Sequence, residues 1–344
     1  MSDASSRSLP RRQVLRITAA VGVSALLGGG LLRAALERAG LHRVRQTRTQ
    51  MGTLVTISAV HPDVEAARGM VAATFDEMER LEGLLSRHRA GTPIWRLNET
   101  GVVRAPPREV LEVVRTGLDY STLTGGAFDI TIAPLLNLYN SSFSQTGVAP
   151  SPEDVRRALA LVGFRHVQAS EREIAFEKPG MAVTLDGIAK GYIVDRAVEV
   201  LRQLGAERVL VNAGGDIASA GEPLEDDAWR IGLQDPRVAD GSLGTIGLRG
   251  EAVATSGDYV QYLTPDMSLH HIIDPRTGSS PAHASGVSVV APSAMAADAL
   301  STATLVLGPR EGMELLDRLD GIEGMIVTKD QRVLKSRGLS RYTA

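Results

Sequence analysis

Two stretches toward the C-terminal end carry side chains that can do chemistry. The first is His270-His271-Ile272-Ile273-Asp274-Pro275-Arg276-Thr277-Gly278. β-Branched Ile272 and Ile273, followed by Asp-Pro and then Gly, predict the end of a strand running into a tight turn. Consecutive side chains on a strand point to opposite faces, so one histidine can face a site while the other needs an ordinary structural role. The second stretch is Ala296-Ala297-Asp298-Ala299-Leu300-Ser301-Thr302-Ala303, on an Ala-rich helix that Ser293 caps. Asp298, Ser301 and Thr302 stand at i, i+3 and i+4 and share one face. Serine and threonine on a helix commonly bond back to carbonyls one turn earlier, which accounts for this spacing without any ligand. The alternative is a hard-cation site of carboxylate and hydroxyl oxygens, the kind Mg²⁺ prefers when a phosphate completes the shell. A histidine base beside such a cation points to phosphoryl-group chemistry.

The whole chain bounds what can surround these residues. With 344 residues and 43% hydrophobic content it can bury a large core. A formal net charge of −3 gives no reason to expect a nucleic-acid partner. The absence of cysteine excludes disulfides, thiolate metal sites and a cysteine nucleophile. Aromatics make up only 4%, so Ala, Val, Leu and Ile must supply the core. Arg11 and Arg12 precede a weakly apolar run, Ile17 to Leu32, which predicts a Tat-type export signal and a periplasmic address. That run is short for a spanning helix, so cleavage or weak membrane anchoring are the choices. Residues 1–45 are therefore set aside as signal or anchor plus a short linker, and 46–344 are taken as one α+β domain.

Periodicity then lays out the elements. Thr47 to Val60 predicts a first strand interrupted at Met51-Gly52, and Asp63 to Leu85 an amphipathic helix. A polar segment with His88 follows. A second helix is predicted from about Pro107 to Leu123, stopped by Gly125-Gly126. That glycine pair, ahead of Ala127-Phe128-Asp129, either caps the helix or lets the backbone approach something flat or anionic. Ser151-Pro152-Glu153-Asp154 starts a third helix, and Val167 to Phe176 predicts a hairpin. Val183-Thr184-Leu185-Asp186-Gly187-Ile188-Ala189-Lys190-Gly191 predicts strand, turn and helix, with a lysine at a helix start suited to an anion. Neither a Walker spacing nor G-x-G-x-x-G occurs. Further strands are predicted at 208–217, 229–234, 243–248, 252–255, 323–328 and 332–336, with helices at 293–307 and near 311–319.

Seven motifs in order, Met51-Gly52-Thr53, Gly126-Ala127-Phe128-Asp129, Leu185 to Gly191, Asn212-Ala213-Gly214-Gly215-Asp216, Thr255-Ser256-Gly257-Asp258-Tyr259, His271 to Pro275 and Ala297 to Thr302, resemble the signature of the ApbE family, the FAD:protein FMN transferases. The resemblance covers roughly residues 47 to 330, and the Tat-type start without a lipobox resembles its NosX branch, which serves nitrous-oxide respiration. It implies an enzyme that binds FAD and moves the FMN half onto a threonine of a periplasm-facing respiratory flavoprotein, NosR-like or a sodium-translocating-reductase-like subunit, releasing AMP. By the same resemblance, Met51, His88, Ala127, Phe128, Asp129, Thr184, Lys190, Ser256 and Ile273 would line FAD. Mg²⁺ would be held by Asp298, Thr302 and the Gly187 carbonyl, with Ser301 as a further candidate. His271 would be the general base and Lys190 an added positive charge. Position 88 is often tyrosine in the family. Thr184 stands where many members have aspartate, and Asp186, two residues on along an extended strand, is the proposed substitute. Two other functions fit the same residues: Mg²⁺-dependent hydrolysis of FAD to FMN and AMP, and a periplasmic flavin carrier without chemistry.

Overall fold

The computed structural model describes residues 40–221, 228–238 and 240–343. The twin arginine and the apolar run after it lie outside them. Among the described residues no helix is long and apolar enough to cross a membrane.

The chain enters as a hairpin, β1 (His42–Gln50) and β2 (Thr53–His61), where a single interrupted strand was predicted. Met51 and Gly52 both adopt left-handed φ, 51° and 69°, which matches the twist that a two-residue hairpin turn requires. β1 thus begins inside the stretch set aside as linker. Helix α1 (Val64–Leu85) follows, capped by Asp63 and burying Ala67, Met70, Val71, Phe75, Met78 and Leu81 at the predicted steps. Next come α2 (Pro93–Thr100), β3 (Val102–Arg104), α3 (Arg108–Leu123), α4 (Ala133–Thr146) and α5 (Pro152–Leu159). α2 and α4 go beyond what the periodicity predicts. β4 (Val167–Ala169) and β5 (Glu173–Phe176) form the expected hairpin and join β3 in a small sheet.

Helix α6 (Ala189–Gln203) leads to β6 (Arg208–Ala213) and β7 (Asp216–Ala220), a hairpin turning at Gly214-Gly215. The hairpin β8 (Trp229–Gln234) and β9 (Ser242–Leu248) follows, then β10 (Ala252–Gly257) and β11 (Ala284–Ala291). Helix α7 (Ala294–Arg318) kinks at Gly308 ahead of Pro309, the predicted break, and β12 (Glu323–Thr328) and β13 (Val333–Lys335) close the chain. The main sheet is antiparallel in the order β1-β2-β6-β7-β10-β11-β12-β13. Alternation along its strands builds two cores. Ala252, Ala254, Val287 and Val289 pack with α1, α6 and α7, whereas Val253, Val290 and Met325 pack with the β8–β9 hairpin.

Two predicted strands do not form. Val183 to Leu185 runs without a sheet partner; its amides are taken by the Asn98 side chain at Val183 and the Ile130 carbonyl at Thr184. His270 to Ile273 is irregular apart from one bridge between His270 and Tyr262, because Asp274 closes a turn that accepts the Gly278 amide at 2.8 Å.

The crossing of α6 and α7 fixes the site described next. A Cβ at Gly191 would lie 2.3 Å from the Ala294 carbonyl oxygen and 2.7 Å from Met295 Cα. Asp195 reaches from α6 to accept the Ala294 and Met295 amides at 2.7 and 2.9 Å, so one helix caps the other. Gly191→Ala is expected to destabilise the fold by about 1–3 kcal/mol, since backbone, not a movable side chain, must give way. A urea midpoint equal to that of wild type would show instead that the helices separate at no cost.

Candidate active site

Asp298 lies on α7 with its carboxylate buried. One oxygen, Oδ2, accepts the Gly191 amide at 3.2 Å. The hydroxyls of Ser256, Ser301 and Thr302 gather on the same side: Ser256 Oγ stands 2.8 Å from Ser301 Oγ and 3.1 Å from Thr302 Oγ1. Gly187 adjoins them, for a Cβ placed there would meet Thr302 Oγ1 at 3.5 Å and Phe128 Cε2 at 3.3 Å. Ser301 also donates to the Asp298 carbonyl at 3.0 Å, so it makes the ordinary backward bond as well as facing Ser256. One carboxylate and several neutral oxygens form a partial shell, and among the described residues no group of three His, Cys, Asp or Glu side chains completes it. Such a donor set suits a hard divalent cation whose remaining ligands come from phosphate or water.

The electrostatics point the same way. Burial and the nearby charge of Asp216 push the Asp298 carboxyl up to about 8. Asp216 is itself buried and holds the Lys190 ammonium, which stays charged well above its ordinary range despite the cost of burial. Lys190 therefore faces Asp216, the last residue of the Asn212–Asp216 motif, whose part in the site no local spacing reveals. Two carboxylates share one ammonium, and Asp298 is left short of positive charge.

His271 is half-buried, and both its amide and its ring use one acceptor. The amide donates to the Gln261 carbonyl at 2.9 Å, and Nδ1 stands 3.0 Å from the same oxygen. A carbonyl only accepts, so Nδ1 carries the proton and Nε2 keeps its lone pair. Burial, with Lys190 adding to it, lowers the imidazole pKa and favours this neutral form. His270 is wholly buried, with Nε2 3.4 Å from the Pro281 carbonyl. The two rings nonetheless lie near each other, edge to face with centroids 6.4 Å apart, and no strand sets them on opposite faces.

Burial, and to a lesser degree His271, pushes His270 down to about 4 from an ordinary 6.5. Between those values the unfolded chain binds the extra proton, so this contribution is present above pH 6.5 and is lost as the pH falls toward 4. The shift corresponds to about 3 kcal/mol. Denaturant unfolding of wild type and His270→Gln at pH 7 and pH 4.5 should show stability differences that change by that order; parallel pH profiles would reject the assignment.

The ApbE family profile matches residues 51–326. The chain belongs to the ApbE family. Similar relatives are the FAD:protein FMN transferases of Escherichia coli K12, 30% identical over 290 residues covering 81% of this chain and 82% of theirs, and of Klebsiella pneumoniae, 31% identical over 275 residues covering 78% and 84%. Among solved structures, the ApbE protein of Thermotoga maritima superposes with a TM-score of 0.81 at 28% identity, covering 88% of this chain and 100% of that one. The Pseudomonas stutzeri flavinyl transferase ApbE superposes with a TM-score of 0.76 at 30% identity, covering 88% and 97%. The α+β ApbE fold expected from the motifs is the one observed.

The remaining motif residues of this ApbE chain distribute unevenly. Phe128 reaches Gly187, and Ala127 is buried behind it. The Asp129 carboxylate is occupied: Oδ1 accepts the Thr131 amide and hydroxyl at 2.8 and 2.6 Å, and Oδ2 the Phe164 amide at 3.0 Å. What this segment can offer a ligand is mainly backbone. Thr184 and Asp186 do not share a strand face. Thr184 is buried and its hydroxyl accepts the Asp186 amide at 3.1 Å, while the Asp186 carboxylate is exposed. Crowding disfavours charge on Asp186, but His88 Nε2 at 3.4 Å and Arg87 Nε at 3.2 Å outweigh it and hold the group well below the ordinary carboxylate range. Arg87, which also donates to Asn137 Oδ1 at 2.8 Å, was not singled out in the sequence. Met51 sits at the β1–β2 turn with its amide on Glu82, and Ile273 packs with Leu135 and Tyr139.

Proposed function

We propose that this chain is an FAD:protein FMN transferase that moves the FMN half of FAD onto a threonine hydroxyl of a periplasm-facing respiratory flavoprotein. The observation that carries the mechanism is the 3.0 Å contact of His271 Nδ1 with the Gln261 carbonyl: a carbonyl only accepts, so Nδ1 carries the proton and Nε2 is left as the proton acceptor. A threonine hydroxyl is far too weak an acid to be ionised by imidazole beforehand, so the proton moves to Nε2 as the oxygen–phosphorus bond forms. The bond between that phosphorus and the AMP oxygen breaks, and AMP leaves. Atoms and charge balance without a covalent enzyme intermediate, which accords with a chain that lacks cysteine.

Asp298, Thr302, Ser301 and the Gly187 carbonyl would hold Mg²⁺. When bound, the ion supplies positive charge against the pyrophosphate and the charge that develops on it. Lys190, paired with Asp216, shares its single positive charge between that carboxylate and Asp298. Phe128 and the glycines before it offer an apolar wall and open backbone to the flavin nucleotide, with His88 and Asp186 at the exposed rim. Export through the twin-arginine segment would deliver the enzyme to such an acceptor, and a NosR-like protein is the partner that the NosX resemblance favours.

The test combines the protein with FAD, Mg²⁺ and a purified periplasmic domain of a NosR-like flavoprotein, followed by in-gel flavin fluorescence after denaturation and AMP measurement. Fluorescent acceptor and AMP in equal amounts, both abolished by chelation, is the expected result. AMP without labelled protein would favour hydrolysis of FAD. Bound FAD with neither product would favour a carrier.

A further inference from the structure

Three strands of the fold end and a fourth begins at one carboxylate that the proposed mechanism does not use. Asp258, directly after β10, is fully buried and accepts a two-pronged bond from Arg237, Nη1 at 2.8 Å and Nη2 at 2.6 Å. Lys329, directly after β12, donates to the same carboxylate. Arg237 follows β8 and also donates to Ser285 Oγ of β11 at 2.7 Å, while the Asp258 amide donates to the Ser285 carbonyl at 3.1 Å. One guanidinium already gives a buried carboxylate its charge and its bonds. The second cation needs another reason.

Its other contact supplies one. Lys329 Nζ donates to the Met267 carbonyl at 3.3 Å, and Arg237 Nη1 lies 3.6 Å from Met267 Sδ. Met267 has a left-handed φ of 57° and closes the Thr264–Met267 turn at the tip of a ribbon running from 258 to 271. The arms of that ribbon are joined at Leu263 and Leu269, at Tyr262 and His270, and at Gln261 and His271. Both hydrogen bonds that orient His271 therefore come from the ribbon. Its root, Asp258, and its tip, Met267, are gripped by the same two cations. Two residues before the root, Ser256 touches Ser301 and Thr302.

We infer that Arg237 and Lys329 are positioning residues, which through Asp258 and Met267 hold the 258–271 ribbon so that His271 meets the acceptor hydroxyl at the Asp298–Thr302 cluster. The inference rests on His271 being the base of the transfer reaction. Neither cation touches the reacting atoms; a slack ribbon would lower the rate through misplacement of the imidazole, and displacements near 1 Å can cost about a hundred-fold.

The experiment uses the full chain with FAD, Mg²⁺ and the NosR-like acceptor domain. Wild type and His271→Ala are run first; no transfer by wild type, or undiminished transfer by His271→Ala, overturns the mechanism and this inference with it. With that established, Lys329→Gln is expected to slow transfer roughly ten- to a hundred-fold, with FAD affinity within about two-fold of wild type. Lys329→Arg should restore most of the rate. In the His271→Ala background, Lys329→Gln should leave the residual rate nearly unchanged, because there is no imidazole left to misplace. An equal loss in both backgrounds would mean a general loss of folded enzyme and would overturn the inference, as would a wild-type rate in Lys329→Gln. Should that variant fold poorly, Arg237→Lys, which keeps the charge but not the two-pronged bond, is read by the same cycle.

Discussion

His271→Ala is expected to transfer flavin about 10²- to 10⁴-fold more slowly than wild type, the usual span for loss of a positioned general base. FAD binding should survive, because the ring's bond to the protein runs to Gln261 and the variant removes no ligand of the pyrophosphate. The pH profile gives a second check. Burial lowers the His271 pKa, so the base is neutral and competent at pH 7, and the acid limb of the rate should fall below the ordinary imidazole value of 6.5. The rate is lost as the pH falls through the lowered pKa, and rising pH costs nothing through this group. Time courses of in-gel fluorescence, with FAD affinity followed by flavin fluorescence, separate the two effects. A variant that still transfers at the wild-type rate would place the base elsewhere.

How much of this site could be read from the chain depended on how local each relation is. Asp298, Ser301 and Thr302 were legible as one face because three- and four-residue spacing on a helix is a property of the helix alone. The helix-ending glycines and the cap at Ser151 were legible for the same reason. The strands assigned to Val183–Leu185 and His270–Ile273 failed because an apolar, β-branched run states a preference for extension without naming a partner to bond. At Thr184 the amide goes to Ile130, and at His271 it goes to Gln261, so neither segment joins a sheet. Lys190 was placed correctly at a helix start, but its partner Asp216 lies 26 residues on, across a hairpin. Asp195 capping α7, 99 residues away, and Lys329 on Asp258, 71 residues away, are longer-range still, and nothing in periodicity marks a charged loop residue as buried at a convergence of strand ends. The family motifs compensated in part: they flagged Asp216 and Asp258 as members of ordered signatures, without the geometry that explains either.

Asp298→Asn should abolish most cation-dependent transfer, by at least about 100-fold, while making the cation-free protein more stable. The two expectations come from one fact. Asp298 is a buried carboxylate that shares the Lys190 charge with Asp216, and its pKa is pushed up to about 8. At pH 7 the unfolded chain gains by ionising this group while the cation-free fold keeps it mostly protonated. That difference opposes folding, and it grows as the pH rises from the unfolded value toward the raised one. Asparagine offers the Gly191 amide the same kind of acceptor and removes that opposition. Adding Mg²⁺ should reverse the order: saturation at about 100 times the dissociation constant would stabilise wild type by about 2.7 kcal/mol and leave the variant unmoved. Thermal unfolding with and without Mg²⁺, alongside the transfer assay, reads all of this. A carboxylate kept for structure would lower stability when neutralised and would show no dependence on the ion. A carboxylate kept for the cation must do the opposite on both counts, because its burial beside Asp216 is unfavourable until the ion arrives.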